Sequence, residues 1–159
     1  MVEPRWLTDR EQYAWRRLAA VLLKLPTELE RQLQRDADMT HYEYWVVAIL
    51  SEAPGRTLQL RDLAARSNAS LSRLSHVVSR LEKRGWLRRE PCPDDARASN
   101  AVLTDAGWRK VVEAAPGHAE AVLQLVFDRM ADEDVDHLAR VCQSILDQIE
   151  CDPMTLPAD

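Results

Sequence analysis

NASLSRLSHVVSRLEKRG, Asn68 to Gly85, carries two patterns at once. At about 100° per residue, Leu71, Leu74, Val77, Val78 and Leu81 fall within one sector and predict an amphipathic helix with that face in a core. Ser72, His76, Ser79 and Lys83 lie roughly opposite, with Arg73 and Arg80 on the flank, and no carboxylate occurs before Glu82. Gly85 stops the helix at a position where left-handed backbone is cheap. The polar set is either a solvated face or a surface for a ligand.

The neighbouring segments favour a ligand. Upstream, LQLRDLAAR (residues 58–66) predicts a short helix with Leu60, Leu63 and Ala64 inward, and SNAS breaks it. Two helices joined by about four polar residues make a helix-turn-helix. Downstream, WLRRE and ASNAVLT read as short strands. PCPDDAR joins them, and with two prolines and two aspartates it cannot be helix, so the pair predicts a hairpin, or wing.

Further out, Thr8 or Asp9 caps a helix that bends or restarts at Pro26, and Thr40 caps HYEYWVVAILSEA, which PGR ends. After the wing, Thr104 caps DAGWRKVVEAA. That helix is predicted to be interrupted at Pro116-Gly117 and to resume as HAEAVLQLVFDRM, and a last helix begins at Asp132 or Asp134. The predicted fold is mainly α with a small β-hairpin wing, a winged helix-turn-helix flanked by N- and C-terminal dimerisation helices. Its divisions are 1–38, with the Pro26 kink, then 39–104 for the winged helix-turn-helix module, 105–152 for the C-terminal dimerisation helices and a tail at 153–159. The terminal helices carry more apolar surface than the small central module can cover, so they are expected to pack against a second copy of the chain.

With 159 residues, 46% of them apolar and 30% charged, the chain has the composition of one soluble globular domain. No run of 18 apolar residues predicts a membrane span, and MVEPRWLTDREQ lacks the apolar core of a secretory signal, so the cytoplasm is expected. Cys92, Cys142 and Cys151 are too few and too scattered for a disulfide framework. The net charge of −5 argues against a polyanion partner until it is divided along the chain. Residues 56–110 hold twelve of the 21 Lys and Arg and six of the 26 Asp and Glu, a charge of +6 against −11 for the rest. A basic middle inside an acidic shell points to a polyanion met by one part of the molecule.

Those observations make the polar face of the Asn68–Gly85 helix a candidate for double-stranded DNA. A major groove admits one helix and offers acceptors that Arg and His can meet. Ser70, Ser72, Arg73 and His76 are the candidates for base reading, Arg80, Lys83 and Arg84 for phosphates, and Ser75 and Ser79 complete the set. An enzyme is not expected, because there is no phosphate-cradling glycine loop and no G-x-S-x-G. No metal or other cofactor is expected either: His41, His76, His118 and His137 stand isolated, with no HxH or HxxxH spacing.

Several motifs in this order resemble the winged helix-turn-helix of the MarR (multiple antibiotic resistance regulator) family of bacterial transcription regulators. They are the DLAAR helix, S-x-S-R-L-S-H running into RLEKRG, the D-x-R at Asp95-Ala96-Arg97, and LTDAG at Leu103 to Gly107. The wording LSEAPG, SLSRLSH, REPCPDD and APGH is similar to an actinobacterial subgroup, and the likeness covers about residues 8–150. Ala101 departs from it, since a larger branched residue is common there.

The resemblance implies a homodimer with interleaved terminal helices that acts on a pseudo-palindromic operator, as a repressor or occasionally an activator. It also implies that Arg97, positioned by Asp95, enters a minor groove, where a lone guanidinium suits the narrow negative channel. Family members answer to small aromatic, weakly acidic ligands, and Trp15, Arg16, Tyr44 and Trp45 occupy the corresponding surfaces. Two other readings stand beside this one. In the first, the winged helix is a protein-interaction adaptor. In the second, the regulator responds to oxidation through Cys92, expected to be exposed between prolines near Arg88 and Arg89.

Overall fold

The computed structural model describes residues 4–93 and 95–150, and the side chains of these except at positions 95–97 and 150. Its elements run α1 (Asp9–Ala37), α2 (His41–Glu52), a 3₁₀ turn (Pro54–Arg56), β1 (Thr57–Gln59), α3 (Leu60–Arg66), α4 (Leu71–Lys83), β2 (Leu87–Cys92), β3 (Asp95–Leu103), α5 (Asp105–Val122), a π-helical segment (Leu123–Phe127) and α6 (Asp132–Glu150). The fold is a winged helix-turn-helix with long helices before and after it.

Local chemistry sets the helix ends. Thr8 and Glu11 form a reciprocal capping box on α1, and Thr40 and Glu43 form another on α2, each satisfying two of the backbone donors that a helix start leaves free. α4 ends in a Schellman arrangement, with Gly85 N–H donating to the Glu82 carbonyl and Trp86 N–H to that of Leu81. Gly85 takes φ 72°, the left-handed conformation that a side chain disfavours. Thr104 caps α5 and also donates its hydroxyl to the Gly85 carbonyl at 2.7 Å. That contact draws the start of α5 against the exit of α4. A Cβ at Gly107 would stand 2.2 Å from the Trp86 carbonyl oxygen, so the close approach needs glycine there.

The core lies where α2, α3, α4 and α5 meet the sheet and the last turns of α1. Leu33, Met39, Val46, Val47, Leu50, Leu63, Leu74, Val78, Leu81 and Ala101 are fully buried. The strands are ordered β1-β3-β2, all antiparallel, with Leu58 and Arg89 flanking Ala101 in register.

α1 is one helix through Pro26, the first of the two readings at that residue, and the Thr27 hydroxyl adds a bond to the Leu23 carbonyl at 3.1 Å. Three expectations are corrected. Pro116-Gly117 does not interrupt α5. Ala114 is buried before it, and His118 packs on Tyr44 after it, with ring centroids 4.4 Å apart, so both halves are held on one axis. The departure comes later, at the π segment. Leu58 and Gln59 are strand, not helix, because pairing with β3 adds a third strand to the expected hairpin. Leu71, placed with the core by its spacing, is 52% exposed.

His41 and His118, distant in sequence, also come together, with ring centroids 5.8 Å apart where α1, α2 and α5 join. Glu30 Oε2 accepts from His41 N–H at 2.6 Å, while His118 Nδ1 and, on α1, Gln32 Oε1 are buried with no hydrogen-bond partner among the described residues. Burial holds both imidazoles below their ordinary value, Glu30 opposing the shift at His41 and His41 reinforcing it at His118. The unfolded chain therefore binds these protons first as pH falls. Stability is full above about 6.5, the unfolded value, and is lost as pH drops below it toward the lower folded values. The melting temperature should accordingly fall between pH 7.5 and pH 5.5. In a His118→Gln variant that fall should be smaller, and an unchanged fall would show that other groups titrate.

Candidate nucleic-acid interface

α4 presents a graded surface rather than a uniform one. Leu74, Val77, Val78 and Leu81 seat its inner face, and Ser70 Oγ caps its start by accepting from Arg73 N–H at 3.2 Å. Both flanks are braced. On one, Glu43 of α2 is buried, and its carboxylate lies 3.2 Å from Arg80 Nε and 3.9 Å from Arg84 Nη1. Arg84 further donates to the Asp38 carbonyl at 2.6 Å, pairs with the Asp38 carboxylate and stacks over Trp86. On the other, Arg89 of β2 grips the helix: its N–H and Nη1 bind the two Glu82 oxygens at 2.9 and 2.6 Å. Its Nη2 reaches the Ser75 carbonyl at 3.0 Å and Ser79 Oγ at 3.1 Å.

Between the braces, Ser72, His76 and Lys83 are exposed, with no hydrogen bond or ion pair among the described residues. Arg73 lies beside them, its guanidinium 4.5 Å from the Tyr42 ring centroid, and the Tyr42 hydroxyl is fixed to Ser67 Oγ at 2.9 Å. Stacking holds the guanidinium plane while its N–H edge stays available. Tyr42, Ser72, Arg73, His76, Arg80 and Lys83 line an open concavity of about 880 Å³. With Arg73, Arg80 and Lys83 against the single carboxylate of Glu30, and with His76 and hydroxyls between, the lining suits an anionic, hydrogen-bonding ligand.

The sequence-predicted residues thus divide. Ser72, Arg73, His76 and Lys83 share the open strip, Ser70 is at its head, and Arg80 sits on its edge. Arg84 is committed to Asp38 and Glu43 and the Ser79 hydroxyl to Arg89, contacts that help to place α4, whereas Ser75 meets Arg89 only through its backbone carbonyl. Asp95 and Arg97 lie on the backbone of β3, and their side chains are outside the described residues. Of the four ligand candidates, Tyr44 is 8% exposed and packed on His118. Trp15, Arg16 and Trp45 are exposed. Trp15 lies fourteen residues, about 21 Å along the helix axis, before the first buried residue of α1, Leu29.

Cys92 is buried rather than exposed, its sulfur accepting from Gln59 Nε2 at 3.2 Å; pairing of β2 with β3 carries it inward. Tyr42, Glu43, Asp38 and Arg89 were missed. Only Glu43 had a local signal, its place three residues after Thr40.

Replacing Glu43 by Ala removes a cap and leaves two arginines without their shared anion. The loss should be about 1–3 kcal/mol of unfolding free energy in urea titrations. Glu82→Gln, which keeps the size and one acceptor but not the charge, should lose less.

A family model described as the MarR family matches residues 39–99. Sco3205, a MarR family transcriptional regulator from Streptomyces coelicolor whose structure was solved in complex with DNA, is 45% identical. The match covers 92% of this chain and 91% of that one with a TM-score of 0.89. AbsC, a MarR family transcriptional regulator from the same organism, is 37% identical over 92% of this chain and 99% of that one, with a TM-score of 0.88. The transcriptional repressor MprA of Escherichia coli strain K12 is 25% identical over 117 residues, 72% of this chain and 66% of that protein. The matches to curated relatives span about half to two thirds of those proteins' lengths. No helix among the described residues is long and apolar enough to cross a membrane. With a MarR model on the helix-turn-helix and near full-length likeness to two Streptomyces regulators, the chain belongs to the MarR family of transcriptional regulators.

Proposed function

We propose that the protein is a sequence-specific DNA-binding regulator that acts as a homodimer, with α4 of each protomer in a major groove and the wing beside it. The observation that carries this reading is the open strip of Ser72, Arg73, His76 and Lys83 on a helix braced along both flanks. The +6 charge of residues 56–110 supports it, and so does the DNA complex formed by the Sco3205 relative. Arg73 and His76 read bases, Lys83 and Arg80 contact phosphates, and Arg97, set by Asp95 at the wing, enters the minor groove.

The second copy covers apolar surface that the single chain leaves open. Tyr13, Val21, Leu22 and Leu23 on the first half of α1 are 52–76% exposed, and Val141, Ile145 and Leu146 on α6 are 38–53% exposed. Residues 1–38 and 105–152 are thereby the dimerisation segments around the DNA-binding module at 39–104. Two recognition helices related by a two-fold axis read half-sites about one helical turn apart, so the operator is pseudo-palindromic. Repression is the favoured sign, in keeping with the MprA relative, and release by a small aromatic or phenolic ligand would act through the exposed Trp15, Arg16 and Trp45. The burial of Cys92 counts against oxidation as the signal.

Gel shifts with genomic fragments at several salt concentrations test the reading. His76→Ala or Arg73→Ala should relax base preference by about 1–3 kcal/mol at the position each reads. Lys83→Ala should weaken binding evenly across sequences and lower the salt slope by about one. Arg97→Ala should weaken binding at sites with a narrow minor groove. A dimer in light scattering with no salt-sensitive, sequence-selective complex would leave the adaptor reading in its place.

A further inference from the structure

Leu71 is the one member of α4's apolar set that the fold leaves outside the core. Leu74, Val77, Val78 and Leu81 are at most 5% exposed, whereas Leu71, at the first position of the helix, is 52% exposed. It borders a concavity of about 280 Å³ between α3, α4 and β3, shared with Leu60, Arg61, Ser75, Ala98 and Ser99. Just before it the chain turns at Asn68, in left-handed conformation at φ 52°, and the Ser70 cap then fixes the first turn of the helix.

We infer that Leu71 reads a thymine, placing its isobutyl group against the C5 methyl in the major groove; the inference rests on the DNA-binding reading above. Base edges in that groove offer hydrogen-bonding atoms and one apolar feature, the thymine methyl. Ser72, Arg73 and His76 can answer the former. Leu71 can answer only the latter, and contact with a methyl removes apolar surface of both partners from water. Single exposed leucines are common on protein surfaces. This one occupies the first turn of the second helix of a helix-turn-helix, the part that meets base edges in this motif. The Ser75 and Ser99 hydroxyls beside it suit the polar edge around the methyl.

The test uses the full-length protein and the DNA it selects from a random pool. Each thymine of the selected site is replaced in turn by deoxyuridine, which removes the methyl alone. One thymine in each half-site should be sensitive, with binding weakened about fourfold, the transfer free energy of one methyl. Leu71→Ala should bind the thymine and deoxyuridine forms of that position equally while keeping its preferences elsewhere. Because the side chain is exposed, the variant should melt like the parent. If it does not, the substitution scan on the parent protein together with Leu71→Met, which keeps the methyl contact, decides the matter. No sensitive thymine, or one equally sensitive in Leu71→Ala, would overturn the assignment to Leu71 and leave DNA binding intact. Absence of any selected sequence would overturn the DNA-binding reading itself, and this inference with it.

Discussion

The carboxylate of Glu43 is the point on which the presentation of α4 depends. It lies 95% out of solvent, accepts from Thr40 N–H at 2.9 Å as the acid of a capping box, and stands between Arg80 and Arg84. A carboxylate at a helix N-terminus is favoured by the free N–H groups and the helix dipole, so α2 stabilises the charge that then orients the two arginines. One side chain joins the start of α2 to the second half of α4. Through Arg84 the same link extends to Asp38 at the end of α1.

Arg89 supplies the opposing constraint. At about 100° per residue, Arg80 and Glu82 lie on nearly opposite flanks of α4, with Ser72, His76 and Lys83 roughly midway between. One brace comes from α2 and the other from β2, so the helix is held against rotation about its own axis from both sides. Exposed ion pairs contribute little stability singly. Here the anchoring acids are buried or half-buried, and the Arg89 contacts reach backbone as well as side chain, which gives them geometric weight. The strip between is left polar and unpaired, ready to trade water for a ligand.

The terminal helices stand in contrast to this braced centre. α1 enters the core only in its last turns, and most apolar residues of α6 remain open in the single chain. The histidine pair sits where the C-terminal part of α1 meets α2 and α5, with two polar atoms buried and unpartnered. That junction lies between the surface available to a second copy and the braces that orient α4. A change in how α1 and α5 meet would be felt at Glu30 and His41, one helix start away from Glu43.

Much of the fold was legible because it follows from short-range chemistry. The helix at Leu71–Lys83, its stop at Gly85, the caps at Thr8, Thr40 and Thr104, and the two wing strands follow from periodicity, capping and turn residues within a few positions of one another. The open strip was legible for the same reason, since Ser72, His76 and Lys83 oppose the apolar set on one helix. Pro116 misled because a lost amide and a ring clash are local penalties, and packing on either side of it outweighed them. Leu71 misled because a wheel gives direction and not depth: an apolar residue at a helix end can point toward a core that does not reach it.

What the sequence determined by itself, then, was the set of elements, their order and the basic middle segment, because propensity, capping and charge are read within a turn or two. Which polar residues of α4 are free and which are spent on structure was decided only by the tertiary fold. Glu43 is 37 residues before Arg80, Asp38 is 46 before Arg84, Tyr42 is 31 before Arg73, and His118 is 77 after His41, and only packing brings such pairs together.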